Sequence, residues 1–263
     1  MPTVVEQHMG RLVIWGAGEL GGRVAKLWTH GSVVGITKTP NRHSTLQAMG
    51  VEARVGSAAD VLQPEDTLLL AIPGYAAQGE AISQLAQTPS PHRAVLISST
   101  GYYGPNASGL VTTNAPPGSE ERPQNIAATE QAFRQWAGET GVVIRFGGLY
   151  RPGRGPISPL ARRGTASAGP PNKVLALIHY DDAAIATVKA LELPAPNSTY
   201  IGITLPSPTR QQYYTAACQA LELAPPTFTA PLTGPPEFDV TSFQTDLLPQ
   251  PTHPDWQEAI LLS

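Results

Sequence analysis

Leu12-Val13-Ile14-Trp15-Gly16-Ala17-Gly18-Glu19-Leu20-Gly21-Gly22 carries the strongest structural signal in the chain. Four apolar residues in succession have the form of a parallel strand buried on both faces. Glycines then follow in the spacing G-x-G-x-x-G. At Gly16 the missing side chain permits a tight turn out of the strand. At Gly18 it lets the backbone approach a pyrophosphate, and at Gly21 it lets a helix pack closely on the sheet. Leu20, Val24, Leu27 and Trp28 recur at helical spacing after the turn. A helix beginning here offers unbonded N–H groups and a partial positive charge to phosphate. A purely structural glycine turn is the alternative; the strand before it and the helix after it favour the ligand.

Outward from this point the pattern repeats. Ser32-Val33-Val34-Gly35-Ile36 is a second β-rich run, and it completes a unit of βαβ size. Val51–Val55, Leu68–Ile72, Ala94–Ser98 and Val142–Phe146 read as further strands. Ala76–Leu85, and a segment with Ile126, Thr129, Phe133 and Trp136 on one face, read as helices. The alternation predicts an α/β fold, a Rossmann-type doubly wound parallel sheet. After Tyr150 the pattern loosens and proline becomes frequent. Asp181 and Asp182 suggest a helix with an acidic cap, and Ser207-Pro208 the opening of another helix, with Cys218 in its core. The expected organisation is a nucleotide-binding domain at 1–150 and a small substrate lobe at 151–263, partly intertwined with the first.

Composition narrows the function. The 263 residues carry a net charge of −3 with no long basic run, so a nucleic-acid partner has no electrostatic footprint. No apolar run reaches the ~18–20 residues of a membrane helix, and Met1–Gly10 lack the apolar centre of a signal peptide. Cys218 is the single cysteine, which excludes an internal disulfide and suits a cytoplasmic location. The partner expected is a small molecule.

The end of the second strand bears on cofactor choice. A carboxylate there would bond a ribose 2′-hydroxyl and repel a 2′-phosphate. No acidic residue lies between Gly31 and Ala48. Lys38 and Arg42 would instead meet a 2′-phosphate, with Thr37 and Thr39 as hydrogen-bond donors. The expectation is NADP(H), with NAD(H) as the alternative cofactor and a solvated basic loop as the alternative reading of the segment.

Several blocks, in order, resemble the short-chain dehydrogenase/reductase superfamily, and most closely its extended NAD(P)-dependent epimerase/dehydratase branch. Gly16–Gly22 resembles its cofactor fingerprint. Ile97-Ser98-Ser99-Thr100-Gly101-Tyr102-Tyr103-Gly104 is similar to its SSTxVYG block, and Arg145–Gly153 to its LRxxxxYGPG block. Leu177-Ile178-His179-Tyr180-Asp181-Asp182 is similar to xIHVDD, and Thr252–Ala259 to the closing segment. The resemblance implies cofactor contacts at Gly16, Gly18, Glu19, Leu20 and Gly21. It implies others at Ile72, Pro73 and Gly74, at Ser98, and at Gly147, Gly148 and Leu149. It implies that Ser99, or Thr100 if the alignment slips by one, donates a hydrogen bond to the substrate oxygen; capping the loop is the bland alternative. It implies structural roles for His179 and Asp182, no metal, and compatibility with a homodimer.

One departure is large. The family's Tyr-x-x-x-Lys pair, in which lysine lowers the phenol pKa for proton transfer, has no counterpart. Glu120–Glu130 contain no tyrosine, and no lysine occurs between Lys38 and Lys173. The chain therefore reads as an atypical member. Either it is an oxidoreductase or epimerase acting on a sugar-nucleotide-like or small carbonyl substrate, with another side chain, the substrate or water supplying the proton, or it is a non-catalytic NADP(H)-responsive binder. Tyr102, Tyr103, Tyr150 and Arg122 are the groups left to assist. Arg151, Arg154, Arg162 and Arg163 would hold an anionic substrate, or stand solvated on a loop.

Overall fold

The computed structural model describes residues 10–163, 168–196 and 198–261. The signal-peptide reading of the N-terminal stretch, apart from Gly10, therefore lies outside the described residues, as does the side chain of Arg163. The strands are β1 (Leu12–Trp15), β2 (Val33–Thr37), β3 (Glu52–Val55), β4 (Thr67–Leu70), β5 (Arg93–Ser99), β6 (Gly109–Val111), β7 (Gly141–Phe146), β8 (Gly148–Tyr150), β9 (Leu177–His179), β10 (Thr199–Gly202) and β11 (Pro236–Phe238). The helices are α1 (Glu19–Leu27), α2 (His43–Gln47), α3 (Tyr75–Leu85), α4 (Glu121–Ala137), α5 (Ile157–Arg163), α6 (Tyr180–Glu192), α7 (Arg210–Ala220) and α8 (Thr241–Asp246).

Seven strands form a parallel sheet in the order β3-β2-β1-β4-β5-β7-β10. This is the doubly wound Rossmann order with one strand added, and it reverses direction between β1 and β4. Register there pairs Trp15 with Leu70 and, on the other side, with Ile36. Alternate residues of five strands (Val13, Trp15; Val34, Ile36; Leu68, Leu70; Ala94, Leu96; Val143) enter one core cluster with Phe133 and Ala137. The intervening Leu12, Ile14, Leu69 and Val95 are just as deeply buried. Burial on both faces explains why these strands read as continuous apolar runs rather than as alternation.

The chain divides into two compact units. One contains the residues up to Ile97 together with Thr129–Val143 and Thr187–Ser198; the other contains Ser98–Ala128, Ile144–Ala186 and Thr199–Ser263. The second unit has its own core of Tyr150, Leu160, Leu177, Tyr213, Ala217, Cys218 and Ala259, so Cys218 is a packing residue. It also holds two short parallel pairs, β6 with β11 and β8 with β9.

Three local readings are corrected. Leu27 is 42% exposed, because α1 turns Leu20, Val24 and Ala25 inward at its end of the stripe. Ser207 does not cap α7. Thr209 does, in a capping box with Gln212, while the Ser207 hydroxyl donates to Thr204 O. Asp181 and Asp182 lie inside the first turn of α6, which already starts at Tyr180. Fully buried Asp182 instead accepts from the backbone N–H groups of Thr252 (2.8 Å) and His253 (3.0 Å), tying the C-terminal segment down.

Candidate functional site

In the first unit the glycine turn leaves β1 at the point where the strand order reverses, the place where open parallel sheets accept ligands. Gly16 has φ +98°, and an added Cβ would lie 2.6 Å from Ala71 C and 2.7 Å from Ile72 N. Its glycine is therefore demanded by the neighbouring backbone after β4. Gly21 is demanded by packing: a Cβ there would lie 2.6 Å from Gly16 O and 2.9 Å from Ile14 Cγ2. Gly18 differs from both. A Cβ at Gly18 would meet only Gly16 O, at 3.9 Å. No neighbouring side chain or strand crowds that position.

Gly18 is the N-cap of α1 and contributes no side-chain hydrogen bond. The first-turn N–H groups, among them those of Leu20 and Gly21, have no acceptor within the helix, so this end suits an anion. The Glu19 carboxylate turns to Arg23 (2.6 Å) and lies 4.0 Å from Arg42. Arg42 thus stands beside the turn, and its Nη2 lies 3.6 Å from where a Cβ of Gly22 would be.

Lys38, Thr39 and Arg42 are exposed beyond β2. The Thr37 hydroxyl donates to Thr39 O (2.8 Å) and lies 2.8 Å from His43 Nε2. His43, six residues on, is a member of this group that sequence reasoning missed. Beyond β4, Ile72, Pro73 and Gly74 form a turn in which Gly74 has φ +92° and no neighbour within 4 Å of an added Cβ. Buried Gln78 holds this turn: its Nε2 donates to Ile72 O and Ile97 O, both at 2.8 Å. It too was missed, since a glutamine in an amphipathic helix carries no signal of its own.

In the second unit Ser99 caps the 3₁₀ turn Thr100–Tyr103, its Oγ accepting from Gly101 N at 3.0 Å. A hydroxyl that accepts one bond keeps its own proton to donate, so capping and donation are compatible. The Arg122 Nη2 lies 3.7 Å from the Cβ position of Gly101. Arg145, 3% exposed, has its guanidinium carbon 3.4 Å from the Tyr102 ring centroid and donates to Tyr103 Oη (2.8 Å) and Thr113 O (3.0 Å). Tyr103 is thereby committed to the interior, while Tyr102 stays half-buried.

Tyr150 is 1% exposed and its hydroxyl donates to Asp255 O; burial, then the charges of Glu258, Asp182 and Asp255, raise its pKa, which makes it a poorer acid. Lys173 donates to Pro105 O, and its pKa is lowered by burial and then by Arg210. Gly147 and Gly148 spend their N–H groups on Gly202 O (3.0 Å) and Ala176 O (2.8 Å), and a Cβ on Gly147 would lie 2.8 Å from Ala176 O. Leu149 beside them is half-buried.

The second unit also assembles His179, His253 and Glu258, whose ligand-capable atoms all lie within 4.8 Å of one another. The imidazoles stack at 3.7 Å, and His253 Nδ1 lies 2.6 Å from Glu258 Oε2. Asp181 N donates to His179 Nδ1 (3.1 Å), so the neutral ring carries its proton on Nε2. Neither ring nitrogen of His179 then presents a free lone pair. The cluster reads as a packing device. Burial, then the neighbouring His253, lowers the His179 pKa.

No family model matches this chain, and no curated protein matches it. Solved structures match over nearly the whole length. A functionally unknown conserved protein from Silicibacter pomeroyi DSS shares 20% identity at TM-score 0.73, covering 96% of this chain and 97% of that one. The human epimerase family protein SDR39U1 with NADPH shares 17% at TM-score 0.70, covering 95% and 97%. UDP-glucuronic acid 4-epimerase from Bacillus cereus in complex with NAD shares 15% at TM-score 0.73, covering 95% and 96%. Among the described residues no helix is long and apolar enough to cross a membrane. The chain shares the Rossmann-type fold of these solved structures.

Proposed function

We propose that this chain binds a nicotinamide dinucleotide, NADP(H) in preference to NAD(H), and works as an atypical oxidoreductase or epimerase on a sugar-nucleotide-like or small carbonyl substrate. The observation that carries the reading is Gly18. A Cβ there would meet only Gly16 O, at 3.9 Å, beside a helix N-terminus without a side-chain cap. A pyrophosphate fits there, and the N–H groups of Leu20 and Gly21 would hold it. Lys38 and Arg42 would hold a 2′-phosphate, and no carboxylate at the end of β2 repels one. Gln78 would keep the Ile72–Gly74 turn in place along the nucleotide. Neighbours solved with NADPH and with NAD support the same reading.

When bound, the cofactor supplies a hydride carrier. The chain's own part in catalysis would fall to Ser99, whose hydroxyl retains a proton to donate to a substrate oxygen, with Thr100 beside it. With no Tyr-x-x-x-Lys pair, and with Tyr103, Tyr150 and Lys173 engaged inside the unit, Tyr102 is the phenol left half-exposed near Ser99. The same absence favours a second reading, a binder that senses NADP(H) without turnover. Fluorescence titration of the purified chain with NADPH and NADH, followed by incubation with carbonyl and sugar-nucleotide panels, separates these readings. Tight NADPH binding with redox cycling is expected of an enzyme, and tight binding with a static cofactor of a sensor. Binding of neither cofactor would overturn both.

A further inference from the structure

We propose that Arg122 binds a carboxylate of the substrate beside the Ser99 hydroxyl, and so selects short oxo-carboxylates among small carbonyl compounds. This rests on the substrate-donor reading of Ser99 above and deepens it, by naming a substrate class.

Three side chains surround the turn at Gly101. A Cβ added there would lie 3.3 Å from Ser99 Oγ, 3.4 Å from Ile126 Cδ1 and 3.7 Å from Arg122 Nη2. A hydroxyl and a guanidinium thus flank one spot, with buried Ile126 as an apolar wall. Arg122 and Ile126 stand four residues apart on α4, which puts them on the same helix face. At the spacing of the missing Tyr-x-x-x-Lys pair, α4 therefore presents a cation and a hydrocarbon.

The cation is uncommitted. Arg122 is exposed, and among the described residues it has no hydrogen bond or ion pair. The acids next to it in sequence leave it alone: Glu120 Oε1 accepts from Asn106 Nδ2 at 2.6 Å, and Glu121 makes no ion pair with it. Arg145, the other guanidinium at this turn, is buried against the Tyr102 ring and donates to Tyr103 Oη (2.8 Å) and Thr113 O (3.0 Å). Arginine keeps its charge in proteins, so it cannot stand in as a proton donor. Its planar fork instead matches the two oxygens of a carboxylate. One positive charge balances one carboxylate, whereas a phosphate dianion would be left half compensated. Ser99 Oγ accepts from Gly101 N at 3.0 Å and keeps its proton for a carbonyl oxygen. Both groups lie within 4 Å of the same spot, so the carboxylate and carbonyl of a 2-oxo or 3-oxo acid can engage them together.

The test is calorimetric titration of the full chain, with and without NADPH, against the straight-chain 2-oxo and 3-oxo acids up to hexanoate and their methyl esters. Dihydroxyacetone phosphate serves as the phosphate arm. At least one acid is expected to bind more tightly than its ester. Arg122→Gln should weaken that acid by roughly 10- to 100-fold, the worth of a hydrogen bond to a charged group, and leave the ester within about twofold. Arg122→Lys keeps the charge without the fork and should recover part of the loss. The side chain is exposed and unpaired, so both variants should melt like the parent by circular dichroism. Three results overturn the proposal: no acid binds, acids bind no better than their esters, or folded Arg122→Gln keeps the preference. Tighter binding of the phosphate through Arg122 overturns the carboxylate assignment as well. Failure of NADPH to bind in the same titrations removes the cofactor reading separately, because the cofactor-free titrations still measure Arg122.

Discussion

Replacing Gly18 by alanine, and Gly16 by alanine in parallel, separates a glycine kept for a ligand from one kept for the fold. At Gly18 the new methyl meets only Gly16 O at 3.9 Å, an ordinary contact, and φ is negative, at −85°. The expected stability change is that of a poorer N-cap, within about 1 kcal/mol. The same methyl intrudes where a pyrophosphate would lie. An overpacked contact costs about 1–3 kcal/mol, which corresponds to a roughly 5- to 150-fold weaker Kd for NADPH. At Gly16 the order reverses. A φ of +98° disfavours an L residue by about 1–2 kcal/mol, and a Cβ 2.6 Å from Ala71 C cannot be accommodated without moving backbone. Gly16→Ala should therefore lose about 2–5 kcal/mol of stability, and with it roughly 5–20 °C in Tm. Circular dichroism melting reports the fold. Trp15, 7% exposed and next to the turn, supplies a fluorescence signal for the NADPH titration. Should Gly18→Ala keep the parent Kd while folded, the opening is not a pyrophosphate site and the cofactor reasoning fails.

Lys38→Glu should weaken NADPH by about tenfold or more and leave NADH within about twofold, since it places a carboxylate where a 2′-phosphate is expected; equal losses for both cofactors in the same titration would count against the assignment. If turnover is found, a Ser99→Ala, Thr100→Ala double variant should lose on the order of 10²–10³ in kcat, the worth of a donor to developing oxyanion charge. Lys173→Ala should keep most activity in the same assay, and the reverse ranking would place the chemistry elsewhere. The lowered pKa of His179 has a defined sign. Above its ordinary value of about 6.5 the ring is neutral in both folded and unfolded chains, and its contribution to stability is complete. As the pH falls below that value the unfolded chain protonates first, so stability declines toward the depressed folded pKa. Tm measured from pH 7 down to pH 5 should fall more steeply in the parent than in His179→Gln, whose amide oxygen can still accept from Asp181 N–H; parallel slopes would rule out this histidine as the cause.

Local sequence alone determined the parts of the molecule whose physics is local. Four buried strand residues before Gly16, and the three glycines after them, announce a strand, a turn and a helix, because burial on both faces and steric room at a turn depend on residue type at fixed spacing. The same holds for the continuous apolar runs that became β4, β5 and β7, and for the missing acid after β2. Tertiary structure decided what depends on distant partners. The contacts behind the separate parts of Gly16 and Gly21 arose only when the backbone after β4 closed against one, and Gly16 O and Ile14 against the other. Gln78 acquired its role only when the ends of β4 and β5 came within reach of one amide. Asp182 looks like a helix cap in sequence, yet its partners lie seventy and seventy-one residues away. His43 joined the end of β2 only through a contact with Thr37, six residues earlier. A hydrogen bond is set by position in space, and where its partners are far apart in the chain no periodicity or spacing records it.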